Sequence, residues 1–183
     1  DINNDLAHGT VLLCSLVGCR NLIKGIHRID DRAKRAGFDQ RGECCELLSF
    51  GDAHHLADEQ FAAIIKEAEK YLGYPYIWGG STPATSFDCS GFVSYVYNNC
   101  GLHWSFGRLG AEGLRGMCAY VSPESARPGD LIFFEKTYDT AGASHVGIYV
   151  GNNRMLHCGD PIHYASIDTS YWRSHFLQFG RLP

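Results

Sequence analysis

The sequence predicts an α+β fold in which helices pack on one side of an antiparallel β-sheet. Two observations carry that expectation. Between residues 58 and 101 apolar side chains recur at helical spacing, whereas from 131 onward they fall in short aromatic and β-branched runs separated by Gly, Asn, Asp and Pro. Helices first and adjacent strands afterwards is the α+β order.

Residues 1–57 read as an appendage of one or two helices, punctuated by Gly37, Gly42 and Gly51, with no catalytic pattern. Arg20, Lys24, Arg28 and Arg32 recur every four residues opposite Leu22, Ile23, Ile26, Ile29 and Ala33. A solvated helix face is the preferred reading of that stripe, and a weak hold on anionic wall polymer or membrane is the alternative. Leu16-Val17-Gly18-Cys19 resembles the cleavage site of bacterial lipoprotein precursors, but Asp1 and Asp5 stand where such signals carry positive charge. A buried N-terminal segment is preferred there.

The main domain is expected over 58–183. Phe61, Ile64, Ile65, Ala68 and Leu72 set a helix at 58–72, capped by Asp58 and ended by Gly73. A turn-rich stretch with Pro75, Gly79, Gly80 and Pro83 follows, and then Phe92, Val93, Val96 and Tyr97 mark a helix that begins at Asp88 or Cys89 and ends by Gly101. A short helix is expected near 109–117. Strands are expected at 131–135, 145–150, 154–158, 163–167 and 176–181, with Gly151-Asn152-Asn153 as a hairpin turn.

Composition removes several function classes. The chain has 183 residues, a net charge of -4 and 45% hydrophobic content, with no apolar run long enough to span a membrane and no low-complexity tract. Between Arg20 and Arg41 there are seven basic and three acidic residues, which leaves nine basic and seventeen acidic elsewhere. An acidic main body argues against nucleic acid as the ligand. Eight cysteines without a CxxC pair argue against a zinc site, and reserving one thiol for chemistry leaves an odd number, so a full disulfide framework cannot form. Gly79-Gly80 lacks the Lys-Ser/Thr of a phosphate loop.

Cys89, in Asp88-Cys89-Ser90-Gly91, sits at a predicted helix N-terminus, where unpaired N–H groups and the helix dipole are expected to lower a thiol pKa. Taken alone, a cysteine is more often a small buried hydrophobe. His145 opens one predicted strand and His157 lies on the next, and a pairing that brackets residues 151–153 sets position 145 roughly opposite 157–159. A cysteine nucleophile, a histidine base and a polar group that orients the base form the logic of an activated nucleophile.

Four stretches in order then carry a resemblance: Gly73-Tyr74-Pro75-Tyr76-Ile77-Trp78-Gly79-Gly80, Phe87-Asp88-Cys89-Ser90-Gly91-Phe92-Val93, Arg127-Pro128-Gly129-Asp130-Leu131-Ile132-Phe133-Phe134 and His145-Val146-Gly147-Ile148-Tyr149-Val150-Gly151. From about Glu67 onward the chain resembles the NlpC/P60 family of papain-like cysteine peptidases. The resemblance implies Cys89 as nucleophile, His145 as general base and acid, and His157 as the third polar residue. It implies that Tyr76 helps hold the oxyanion beside the Cys89 N–H, and that Asp88 and Ser90 contact the peptide end of the substrate. It further implies bacterial cell-wall stem peptides as partners, cleavage between D-γ-glutamyl and a diamino acid (meso-diaminopimelate or L-lysine), an extracellular or wall-associated setting, and no metal or organic cofactor.

The run from His157 to Ile162, with Ser170-Tyr171-Trp172-Arg173, resembles wall hydrolases of Gram-positive conjugative elements, in which a muramidase domain often precedes the peptidase. Residues 1–57 match neither that domain nor a wall-binding SH3 domain. Trp78 is a candidate substrate contact, with core packing at a tight turn as the preferred reading, and Tyr164 and Trp172 are cleft candidates better read as core. Asp130 reads as a turn cap, and His103, His163 and His175 as surface or structural histidines. Two rivals remain at this stage: a Cys-dependent acyltransferase or amidase on a non-wall substrate, and a non-catalytic wall-binding module. The cysteine surplus also predicts activity that rises with reductant.

Overall fold

A computed structural model describes residues 50–183, with side chains from His55 onward. The predicted N-terminal helices, the basic stripe, the lipoprotein-like stretch and Cys14, Cys19, Cys44 and Cys45 lie outside the described residues. Leu56–Pro183 forms one compact unit.

Helix α1 spans Phe50–Ala68 and passes into a single 3₁₀ turn at Glu69–Tyr71. It therefore starts eight residues before the expected Asp58, because nothing between Asp52 and Asp58 breaks a helix and Leu56 and Ala57 favour one. Asp58 lies inside the helix and caps nothing. Gly73, at φ +84, releases the chain as expected. The turn-rich stretch contains a two-stranded hairpin, β1 (Ser81–Thr82) with β2 (Ser86–Phe87), closed by the Thr82 and Thr85 hydroxyls at 2.9 Å. Helix α2 (Cys89–Asn99) and helix α3 (Ala111–Met117) follow.

Strands β3 (Ala119–Val121), β4 (Leu131–Glu135), β5 (Ala143–Gly151), β6 (Arg154–Cys158), β7 (Ile162–Ser166) and β8 (Phe176–Arg181) form a six-stranded antiparallel sheet in the order β3-β8-β4-β5-β6-β7. The β5–β6 loop is Asn152-Asn153, both left-handed at φ 48 and 53, which is the twist a two-residue hairpin prefers. Asp130 caps its turn, accepting the Arg127 N–H at 2.8 Å, and also holds Arg181.

Alternation along the strands gives the sheet two apolar faces. Leu131, Phe133, Val146, Ile148, Leu156 and Cys158 join one core with Ile64, Phe92, Val96 and Leu114 from α1, α2 and α3. Ile132, Phe134, Met155 and Phe179 form a second core with Trp172, from the short helix α4 (Ser170–His175). The helices are thus not all on one side, since an unpredicted helix covers part of the second face.

Candidate active site

The site begins with why Cys89 heads a helix. Asp88 is extended and its carboxylate accepts the Gly91 N–H at 2.6 Å, a side-chain cap that fixes where α2 starts. Its second oxygen accepts the Gly79 N–H at 3.0 Å and the Arg108 guanidinium at 2.5 Å, and Ser90 Oγ donates to the first at 3.0 Å. Two glycines make this approach possible. A Cβ on Gly91 would lie 2.1 Å from the Gly80 carbonyl oxygen, and one on Gly80 would lie 2.6 Å from that of Ser86. The Gly79-Gly80 turn and the first turn of α2 are therefore backbone against backbone.

Cys89, 5% exposed, sits at the wall of a cavity of about 350 Å³ that Tyr76, Trp78, Asp88, Ser90, Arg108 and Tyr138 also line. The backbone N–H groups of Val146, Ser90 and Cys89 itself lie beside its sulfur and favour the thiolate electrostatically. The thiol thereby meets β5 at the residue that follows His145. Burial nevertheless pushes the Cys89 thiol up to about 11, aided by the charge of Asp88, against the smaller pull of those N–H groups. The expected lowering is overturned, because desolvation and a neighbouring carboxylate outweigh the helix terminus. Burial also raises the Tyr76 hydroxyl, so it stays a protonated donor.

On the sheet, carrying the register Ile148↔Leu156 outward pairs 147 with 157 and 145 with 159, so His145 and His157 share a face diagonally. Gly147 lets them converge, since a Cβ there would stand 3.2 Å from His157 Cβ. His145 Nε2 and His157 Nδ1 are 2.9 Å apart. Trp172 stacks on His145 at 5.2 Å and meets His157 edge-on at 5.4 Å, with Phe134 at 4.5 Å behind it. Crowding by these neighbours lowers His145 to about 4, with Asp88 opposing, and lowers His157 to about 2 with His145 and His163 contributing. Cysteine and imidazoles are all neutral at pH 7.

Trp78 corrects the core-packing reading: it is 70% exposed, edge-on to Tyr138 at 5.3 Å, at the cavity rim. Trp172 packs in the second core, and Tyr164 donates to Glu69 away from the cavity. Sequence reasoning missed Arg108 and Tyr138, which sit in loops without a spacing pattern. Cys89, Cys100, Cys118 and Cys158 are free thiols. Among the described residues no cluster of His, Cys, Asp and Glu could hold a metal ion, and no helix is long and apolar enough to cross a membrane.

The profile of the NlpC/P60 family matches residues 73–181. The chain is 43% identical over 129 residues to the bifunctional muramidase/DL-endopeptidase CwlT of Bacillus subtilis, covering 67% of this chain and 36% of that protein. It is 39% identical over 121 residues to the gamma-DL-glutamyl hydrolase of Bacillus subtilis, covering 64% of this chain and 28% of the relative. Among solved structures, a lipoprotein-like NLP/P60 protein of Staphylococcus aureus superposes with a TM-score of 0.64 at 42% identity, over 68% of this chain and 42% of that one. The chain thus spans about a third of the length of the curated relatives it matches.

Proposed function

The chain belongs to the NlpC/P60 family, and on that premise we propose that it is a cysteine endopeptidase that hydrolyses peptidoglycan stem peptides between D-γ-glutamate and the diamino acid. The observation that carries the reading is a thiol on an open cavity, beside the backbone N–H of the strand residue that follows a histidine, with that histidine itself bonded to a second one. In this reading 58–183 is the catalytic domain, 1–57 an appendage, and the place of action the bacterial wall outside the cell.

Because His145 Nε2 is engaged by His157, Nδ1 is the nitrogen left to serve as base. The resting pair is neutral, so His145 takes the Cys89 proton as the sulfur attacks the amide carbonyl. The Cys89 N–H and the Tyr76 hydroxyl stabilise the oxyanion. When the C–N bond breaks, His145 returns the proton to the leaving amine, which leaves a thioester. Water, deprotonated by the same histidine, then releases the D-glutamyl carboxylate, and the proton goes back to sulfur. Asp88 has four donors on its two oxygens, so its part is to hold α2, Arg108 and the Gly79 turn, while Ser90, Arg108, Trp78 and Tyr138 face the peptide.

Mass spectrometry of stem peptides of both diamino acid types tests the proposal. Wild type is expected to split them after D-glutamate and Cys89→Ala to lose at least about 10⁴-fold in rate while remaining folded. Intact stem peptides with wild type, or cleavage by Cys89→Ala, would contradict it.

A further inference from the structure

One atom beside the histidine pair has no partner. His157 is 3% exposed, and its Nε2 makes no hydrogen bond. The proton arrangement of the pair makes this atom important. For His145 Nδ1 to act as base it must carry a lone pair, so His145 Nε2 carries hydrogen and donates to His157 Nδ1. Neutral His157 then bears its own hydrogen on Nε2, the orphaned atom. A buried N–H without an acceptor gives up the hydrogen bond that water would supply. In the opposite arrangement His157 donates from Nδ1, its buried Nε2 keeps a lone pair and His145 turns an N–H rather than a lone pair toward the thiol, so an acceptor placed at His157 Nε2 stabilises only the arrangement that leaves His145 a base.

The rings in contact with His157 are those of His145, Trp172 and His163. His145 is already engaged at Nδ1 of His157, and an indole is a donor only. His163 is directly opposite His157 in the β6–β7 register, with ring centroids 4.9 Å apart. Its Nδ1 is 2.6 Å from the Pro161 carbonyl oxygen, so Nδ1 bears the hydrogen and Nε2 keeps a lone pair. Gly159 gives both rings room, since a Cβ there would lie 2.8 Å from His163 Cε1 and 3.0 Å from His157 Cε1. His163 is exposed on the edge strand β7, so a modest ring rotation meets no packed neighbour on its solvent side.

We propose that His163 is a positioning residue: its Nε2 accepts the His157 Nε2–H and thereby holds His145 in the tautomer with a lone pair at Nδ1. The role rests on the reading of Cys89 and His145 as the reacting pair. It extends the site to a histidine that the sequence left as structural, and links a buried pair to the surface through a third imidazole.

The test combines imidazole ¹⁵N chemical shifts with stem-peptide kinetics for wild type, His163→Ala and His163→Gln. Wild type should show His145 and His157 both protonated at Nε2. In His163→Ala both should shift toward the Nδ1–H form, and kcat should fall about tenfold with KM changed by less than about twofold. His163→Gln, which offers a carbonyl acceptor, should recover most of kcat and the wild-type shifts. Unchanged tautomers and kcat in His163→Ala would overturn the proposal. An inactive wild type would instead defeat the proposed function, and the nitrogen shifts alone would still decide the tautomer.

Discussion

The two walls of the site hold their side chains by opposite physics. On the helical wall Asp88 gathers four donors, with Arg108 41% exposed beside an open cavity. On the sheet wall His145 and His157 share one hydrogen bond under Trp172 and Phe134, and among the described residues no carboxylate bonds either ring. The first wall is polar, satisfied and wet at its edge, which suits binding a charged peptide. The second is desolvated, which keeps its imidazoles neutral and able to accept a proton. The difference shows why a helix N-terminus alone does not make a reactive thiolate: Cys89 heads the helix, yet burial and Asp88 raise its pKa, and in the proposed mechanism its proton leaves to the sheet.

One way to break that comparison is at Asp88. Asp88→Asn keeps the shape but leaves Arg108 without its ion pair and sets an amide N–H₂ among donors, a loss of roughly 1–3 kcal/mol by urea unfolding. Because the carboxylate raises the Cys89 pKa, the same variant should be alkylated by iodoacetamide at lower pH than wild type. An unmoved alkylation profile would remove Asp88 from the electrostatics of the thiol.

The sheet wall is tested by pH. Both imidazoles have folded pKa values below the unfolded value near 6.5, so the unfolded chain gains protons first as pH falls, and stability is full above about 6.5. It should decline from there toward about 4 for His145 and about 2 for His157, roughly 2–3 kcal/mol for each imidazole by pH 4.5. Glu112, which Arg115 and the Ala143 N–H hold at about 2, adds loss only below about 4.5. The window from 6.5 to 4.5 therefore belongs to the histidines, and His157→Asn should remove about half of the decline across it. A wild-type stability that is level across that window would contradict the desolvated wall. The smallest effect is expected at Trp78, where an exposed side chain leaves stability within about 0.5 kcal/mol in Trp78→Ala. KM for stem peptide should rise several-fold, and an unchanged KM would make the rim aromatic incidental.

Much of this was legible in the sequence where local pattern and tertiary structure agree. The strands Leu131–Glu135, Arg154–Cys158 and Phe176–Arg181 and the start of α2 fall at the expected residues, because short aliphatic and aromatic runs end at turn residues and an Asp cap marks the helix. The hairpin arithmetic also foresaw the approach of His145 and His157. What stayed hidden depended on partners remote in sequence. The two-residue strands β1 and β2 are too short for any periodicity, α4 lies within a polar run, and Arg108 finds Asp88 across 20 positions. The sign of the Cys89 shift needed the burial and the carboxylate together, and neither is visible in Asp-Cys-Ser-Gly alone.

The most direct measurement is the intact mass of the protein quenched in acid milliseconds after mixing with a stem peptide. The account predicts a transient adduct with the mass of the fragment ending in D-glutamate, mapped to Cys89, lost in Cys89→Ala and slower to form in His145→Ala. Hydrolysis with no adduct on Cys89, or an adduct mapped to another residue, would contradict it.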